Sequence, residues 1–244
     1  MNTARRKPYI AESLRMLLDK GVPVKSVLDV GIREHTPALK QVFPEIPHHL
    51  FEPVDAFFDV IRENYANLNY TLHQVALSDS DGIAWQIGIS LDGSGNVTHS
   101  RLSDVPVTTN QESKLVSCKS VSMKRLDGIV KTIRPEVPYL LKIDVDGHEL
   151  PILKGAEESL KDASIVVIEA PLTRGETAVP KLMERATFLS ESGFYLIDIG
   201  DFVYYYGLLS QVDLVFVSRG ILEKNEDLRP WETKPYASDQ WVPY

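Results

Sequence analysis

The chain has 244 residues, 43% of them hydrophobic and 25% charged, and a net charge of −8; this is enough to bury a full core in an ordinary globular protein. The acidity excludes binding through a generally basic surface, so neither nucleic acid nor an anionic membrane is expected as a partner. One cysteine, Cys118, excludes an internal disulfide and suits a reducing compartment, and no apolar run has the length of a spanning helix. Arg5-Arg6-Lys7 is followed by the amphipathic IAESLRMLL rather than an apolar core, so no signal peptide is read and a cytoplasmic location is expected.

In chain order, Tyr9–Lys20 predicts an amphipathic helix with Ile10, Leu14, Leu17 and Leu18 on one face and Gly21 as its stop. Ser26–Gly31 (SVLDVG) is a short strand ending in Asp and Gly, and Thr36-Pro37 starts a helix as a capping hydroxyl followed by proline. The strand His48–Glu52 and the helix Val54–Ala66, carrying Phe57, Phe58 and Ile61 inward, form a second unit of this kind. A third strand, Thr71–Leu77, ends in Ser78-Asp79, and Ser80-Asp81-Gly82 turns tightly into Ile83–Ile89. Residues 90–110, rich in Gly, Ser, Asn and Thr, predict a long surface loop, and with His99 and Arg101 it is a candidate lid. Leu115–Met123 reads as extended and Leu126–Ile133 as a helix.

The strand Tyr139–Ile143 runs into an acidic cluster, Asp144, Asp146 and Glu149, and a helix follows with Leu150, Leu153, Ala156 and Leu160 at helical spacing. Beyond it come the strand Ser164–Glu169, the helix Ala178–Ser192, the strand Phe194–Ile199, a Tyr-rich turn at Val203–Tyr206 and the strand Gln211–Val217. The short connection before Gln211 suits a hairpin-like return rather than a helical crossover. Trp231, Tyr236 and Trp241 lie in a tail expected to pack on the domain. Strands alternating with helices predict an α/β fold, a doubly wound and mostly parallel sheet with an antiparallel strand near the C-terminal edge. A single domain is expected over 1–244: an N-terminal helix in 1–24, a Rossmann-like core in 25–218 and the tail 219–244.

Polar residues end the buried runs: Asp29 and Gly31 after the first strand, Glu52 after the second, Asp79 after the third, Asp144 after the fourth and Glu169 after the fifth. Open α/β sheets bind ligands beyond the carboxyl ends of their strands, where a carboxylate at the second strand suits a ribose diol. Gly31 permits close approach to the backbone, and Asp79 is placed to accept from an adenine amino group. The first turn, GIREHT, lacks the further glycines that a pyrophosphate binder needs, and Glu34 would repel a pyrophosphate. A nucleoside carrying an amino acid instead of phosphates fits better: Arg33 or the amides near Thr36 for its carboxylate, Asp29 or Asp144 for its ammonium.

At these positions the chain resembles the FkbM-type methyltransferases, through VLDVG, LFEPVDAFFDVIRENY, VALSDSDG, LLKIDVDGHELPILKGAEESL and QVDLVFV in that order, from about Ser26 to Val217. The resemblance implies a class I methyltransferase fold, S-adenosylmethionine as methyl donor, and O-methylation of a hydroxylated small molecule such as a sugar or polyketide-derived natural product. The departure from the pattern is Ile-Arg-Glu-His after Gly31, which keeps a non-catalytic nucleoside-binding module open as an alternative. The transfer needs a general base. His148 is the first candidate because imidazole titrates near neutrality; Asp144 is the second, and Glu149 could orient the base. Asp144, Asp146 and Glu169 carry the oxygen ligands magnesium takes, which leaves open a metal-assisted variant or a metal-dependent hydrolase, but no spaced ligand motif demands an ion. His48, His49, His73 and Cys118 read as structural. The amphipathic N-terminal helix and the aromatic tail leave room for a homodimer.

Overall fold

The computed structural model describes residues 6–110, 112–172 and 181–237. These fall into two compact units, one formed by Lys25–Ala163 and the other by the segments on either side of it. In chain order the elements are α1 (Ile10–Asp19), β1 (Ser26–Val30), α2 (Pro37–Val42), β2 (His48–Phe51), α3 (Phe58–Asn64), β3 (Tyr70–His73), β4 (Ala76–Leu77), β5 (Gly82–Ile89), β6 (His99–Ser103), β7 (Leu115–Lys124), α4 (Leu126–Ile133), β8 (Tyr139–Ile143) and α5 (Glu149–Lys154). They continue with β9 (Ala163–Pro171), α6 (Lys181–Glu191), β10 (Phe194–Tyr205), β11 (Leu208–Ser218), α7 (Arg219–Lys224) and α8 (Pro230–Thr233). The chain therefore adopts the α/β fold that the alternation of strands and helices predicts, with parallel strands and an antiparallel pair near the C-terminal end.

In the central unit β1 lies between β2 and β8, and β2 also pairs with β3, all four parallel. Every residue of β1 and β8 is buried, Asp29 and Lys142 included, as in central parallel strands covered on both faces. The register sets Asp29 of β1 beside Leu50 on one side and Lys142 on the other. A second sheet, in the order β4-β7-β5-β6, belongs to the same unit.

That second sheet corrects two expectations. The strand predicted over Thr71–Leu77 is two strands: Tyr70–His73 joins the parallel sheet and Ala76–Leu77 pairs with β7, with a tight Val75 N–H bond to the His73 carbonyl (2.9 Å) between them. The predicted loop 90–110 contains β6, which pairs antiparallel with Trp85–Ile89. HSRLS has no apolar periodicity; it is held as a strand by its ladder bonds to β5, a long-range interaction that periodicity cannot register.

The helix expected to continue to Leu160 stops at Lys154. Gly155 follows, and a Cβ there would stand 2.0 Å from the Ser78 carbonyl oxygen, so the chain passes too close to Ser78 for any side chain. Asp127, buried at the start of α4, accepts from the Ser159 amide (2.8 Å) and hydroxyl (2.7 Å) and from Arg125 (3.1 Å). Asp127→Ala leaves the two buried Ser159 donors unpaired and is expected to cost about 2–3 kcal/mol, read as a lowered urea midpoint at unchanged slope.

In the other unit β11 pairs antiparallel with both β10 and β9. The hairpin expected before Gln211 is present, with its turn at Tyr206-Gly207, both at positive φ. Because the ladder continues further than expected, β10 runs on to Tyr205, and Glu169 stands within β9 opposite Asp213 rather than at the strand end. The amphipathic α1 buries Ile10, Leu14 and Leu17. Its first turn lacks a side-chain cap of its own, and Asp201 of β10 accepts from the Ile10 amide (3.3 Å). Asp198 accepts from the Ser13 hydroxyl (2.7 Å) and pairs with Arg6. Trp231 and Tyr236 are exposed; Trp241 and the expected helix start at Ala178–Pro180 lie outside the described residues.

Candidate functional site

The predicted catalytic and donor-binding residues lie in the central unit and Glu169 in the other; in the central unit the parallel order of β1, β2 and β8 gives their last residues one shared edge. The ladder holds the edge together beyond the strands: the Gly31 amide donates to Phe51 O (3.1 Å) and the Asp144 amide to Val30 O (3.0 Å). Gly31 has φ +81°, and a Cβ on it would meet the Asp144 carbonyl oxygen at 1.9 Å. Glycine is thus required at this crossing on both conformational and steric grounds.

Glu52, only 4% exposed, receives two backbone amides, Arg33 N–H on Oε2 (2.9 Å) and Val54 N–H on Oε1 (2.9 Å). Each oxygen keeps a second lone pair for a hydroxyl donor. Burial outweighs these bonds and the Arg33 charge, and pushes the carboxyl up to about 7. Arg33 itself is exposed, takes φ +55° and lies with its guanidinium 5.7 Å from the Phe57 ring centre.

Asp29 is completely buried, and among the described residues neither carboxyl oxygen has a hydrogen-bond partner. Desolvation raises its pKa; the Lys142 ammonium and the Thr36 hydroxyl ease that penalty without reaching hydrogen-bond geometry. Lys142, also buried, extends its ammonium to Asp144 Oδ2 (2.5 Å). Thr36 makes no side-chain cap to α2, and its amide is taken by the buried Tyr65 hydroxyl (3.1 Å). Of the amides near Thr36 expected to hold a ligand carboxylate, that of Thr36 itself is thus already satisfied by Tyr65.

A second group gathers where α5 begins. His148 is the residue before α5, half-buried, with Nε2 2.9 Å from Ser78 Oγ. Desolvation lowers its pKa, while the nearby carboxylates of Asp79 and Asp104 raise it. Asp79 Oδ1 accepts from the Ser78 (3.4 Å) and Ser80 (3.2 Å) hydroxyls. Asp79 does not share the edge of Asp29, Glu52 and Asp144, contrary to expectation, because it follows β4 in the other sheet. Glu149 is fully buried and accepts from the Gly147 amide (3.3 Å). It faces the turn between β8 and α5.

Among the described residues no three His, Cys, Asp or Glu side chains stand close enough to hold a metal ion. Asp146 accepts from the Ser100 amide of β6 (3.1 Å). His48 bonds the Phe43 carbonyl (2.8 Å), and His73 stacks on Phe51 and His49. Three groups escaped the reading from sequence: Lys142, Tyr65 and Ser78. Only Lys142 carried a signal, as a lone lysine in an otherwise apolar buried strand two residues before an aspartate.

The family model described as the methyltransferase FkbM domain matches residues 32–196. The hexuronic acid methyltransferase AglP of Haloferax volcanii is 27% identical over 143 residues, covering 58% of this chain and 54% of that protein, so the chain spans about half the length of the curated relative it matches. Among solved structures, an rRNA methylase from Streptococcus thermophilus is 12% identical with a TM-score of 0.48, covering 88% of this chain and 99% of that one. The magnesium protoporphyrin IX methyltransferase of Synechocystis PCC 6803, solved with S-adenosylmethionine bound, is 11% identical with a TM-score of 0.45, covering 85% and 77%. With the family model matching well over half of its length, the chain belongs to the FkbM methyltransferase domain family.

Proposed function

We propose that this protein is an S-adenosylmethionine-dependent O-methyltransferase acting on a hydroxyl of a sugar or similar natural-product small molecule. The observation that carries the donor assignment is Asp29, a fully buried carboxylate with two unpartnered oxygens among the described residues. A buried carboxylate left without donors is costly and calls for a cationic or hydrogen-bonding ligand. The donor's amino acid ammonium answers that need at Asp29, with Asp144 beside it. Glu52 takes the ribose hydroxyls on its remaining lone pairs, and the exposed Arg33 suits the donor carboxylate. The hexuronic acid relative supports a sugar acceptor.

S-adenosylmethionine, when bound, supplies a methyl group on a sulfonium that departs as a neutral thioether. The protein must therefore align a hydroxyl with that methyl and remove one proton. His148 takes the proton as the new C–O bond forms, a role typically worth ~10²–10⁴-fold. His148→Gln, which keeps a hydrogen-bonding side chain at this position, is expected to lower kcat by roughly 10²-fold with donor affinity unchanged.

The test is calorimetric titration of the purified protein with S-adenosylmethionine and S-adenosylhomocysteine, beside a Glu52→Ala variant. Micromolar binding lost in the variant is the expected result, followed by methyl transfer to a hydroxylated acceptor. Absence of binding by the intact protein overturns the reading. Binding without transfer to any sugar or hydroxylated natural product leaves a nucleoside-binding module in its place.

A further inference from the structure

We propose that Ser78 is a positioning residue that fixes the tautomer of His148 and so decides which ring nitrogen acts as the base. The inference rests on the reading of His148 as general base and names a residue that this reading does not itself require. A serine hydroxyl has one proton to give. Ser78 directs it at Asp79 Oδ1 (3.4 Å), a carboxylate that can only accept, and Ser80 holds the same oxygen from its other side (3.2 Å). In giving that proton to Asp79, Ser78 Oγ would face His148 Nε2, 2.9 Å away, as an acceptor, and this direction is what the proposal asserts. The neutral imidazole then carries its proton on Nε2, and Nδ1, which makes no hydrogen bond among the described residues, keeps the lone pair. The ring nitrogen opposite a fixed partner is the one left to do chemistry.

The serine is itself held rigidly. Its amide donates to the Lys124 carbonyl (3.0 Å), its carbonyl lies against Gly155 closely enough to exclude any Cβ, and the side chain is buried. Once Nδ1 has taken a proton, the cationic ring remains bonded through Ser78 to Asp79. Asp79 and Asp104 are the charged groups that face it, and Asp146 and Glu149 neighbour it in the chain. The transfer would exchange the acceptor's O–H and the donor's S–CH3 bonds for one new O–CH3 bond, with the neutral thioether leaving; the proton passes from the acceptor oxygen to Nδ1 and later to water.

The decisive measurement is the two-bond proton–nitrogen NMR spectrum of ¹⁵N-histidine-labelled protein without donor or acceptor, with His148→Gln to assign the signal among the six histidines. A neutral His148 ring protonated at Nε2, turning to the other tautomer or a mixture in Ser78→Ala, is the expected result. In turnover, Ser78→Ala should lower kcat by roughly tenfold or more at unchanged donor KM. It should also move the acid limb of the pH profile downward, because the cationic ring loses its link to Asp79, and Ser78→Thr should restore both. A wild-type ring protonated at Nδ1 overturns the proposal, and so does an Nε2 tautomer that Ser78→Ala leaves unchanged. Neither outcome depends on methyl transfer, whereas failure of donor binding in the calorimetric test removes the methyltransferase reading without altering the tautomer.

Discussion

Gly31→Ala is expected to destabilise the protein by roughly 2–4 kcal/mol, the combined cost of a side chain at positive φ and of overpacking, and to abolish donor binding. The added methyl would stand 1.9 Å from the Asp144 carbonyl oxygen and 2.7 Å from Val145 Cγ1. Backbone is the obstacle here, so relief requires β1 and β8 to part where Val30 O and the Asp144 amide are bonded. Gly21→Ala is the matched control: its φ is +79°, nearly the same, but nothing lies within 4 Å of the added carbon. That variant should lose only about 1 kcal/mol, for conformational strain alone. Urea denaturation of the two variants separates the terms, and equal losses would show that the contact with Asp144 does not constrain the edge.

Glu52 should make donor binding and stability respond to pH in opposite directions. Two ribose hydroxyls bind best to an ionised carboxylate, yet burial holds the carboxyl of the free protein up to about 7. Donor affinity is therefore expected to be level above about pH 8 and to weaken by up to tenfold per unit as pH falls below 7, with a proton released on binding. Stability follows the other sign. The raised pKa means that the folded protein keeps a proton which the unfolded chain gives up from 4.5 onward. The contribution of this group is thus complete below pH 4.5 and is lost as pH rises to 7, by up to about 3 kcal/mol. Glu52→Gln has no such titration. Its stability relative to wild type should improve by about that amount between pH 4.5 and 8, while its donor binding is weak and independent of pH. The amide left without an acceptor in the variant contributes a constant offset, which the comparison across pH removes. A stability difference that stays flat from pH 4.5 to 8 would sink the assignment.

Much of this protein was determined by local pattern in the sequence. Largely apolar runs such as SVLDV and YLLKI read as buried strands, and the short link before Gln211 suited an antiparallel return. The ordered segments from VLDVG through LLKIDVDGHELPILKG also carried the family. Strand-end position alone brought out Asp29, Glu52 and Asp144, because residues that follow parallel strands meet at one edge whatever the details of packing.

Tertiary structure decided the rest, since it turned on contacts between residues far apart in sequence. The polar segment HSRLS became β6 through bonds to β5, and Thr71–Leu77 broke because its two halves found partners in different sheets. That break carried Asp79 away from the shared edge and set Ser78 against His148, seventy positions along the chain. The Thr36 amide was claimed by Tyr65 from α3's end, and the unpartnered state of Asp29 emerged only once every neighbour was in place. Burial and hydrogen-bond satisfaction are properties of the assembled surroundings, and so are the raised carboxyl of Glu52 and the orientation of His148 that follow from them.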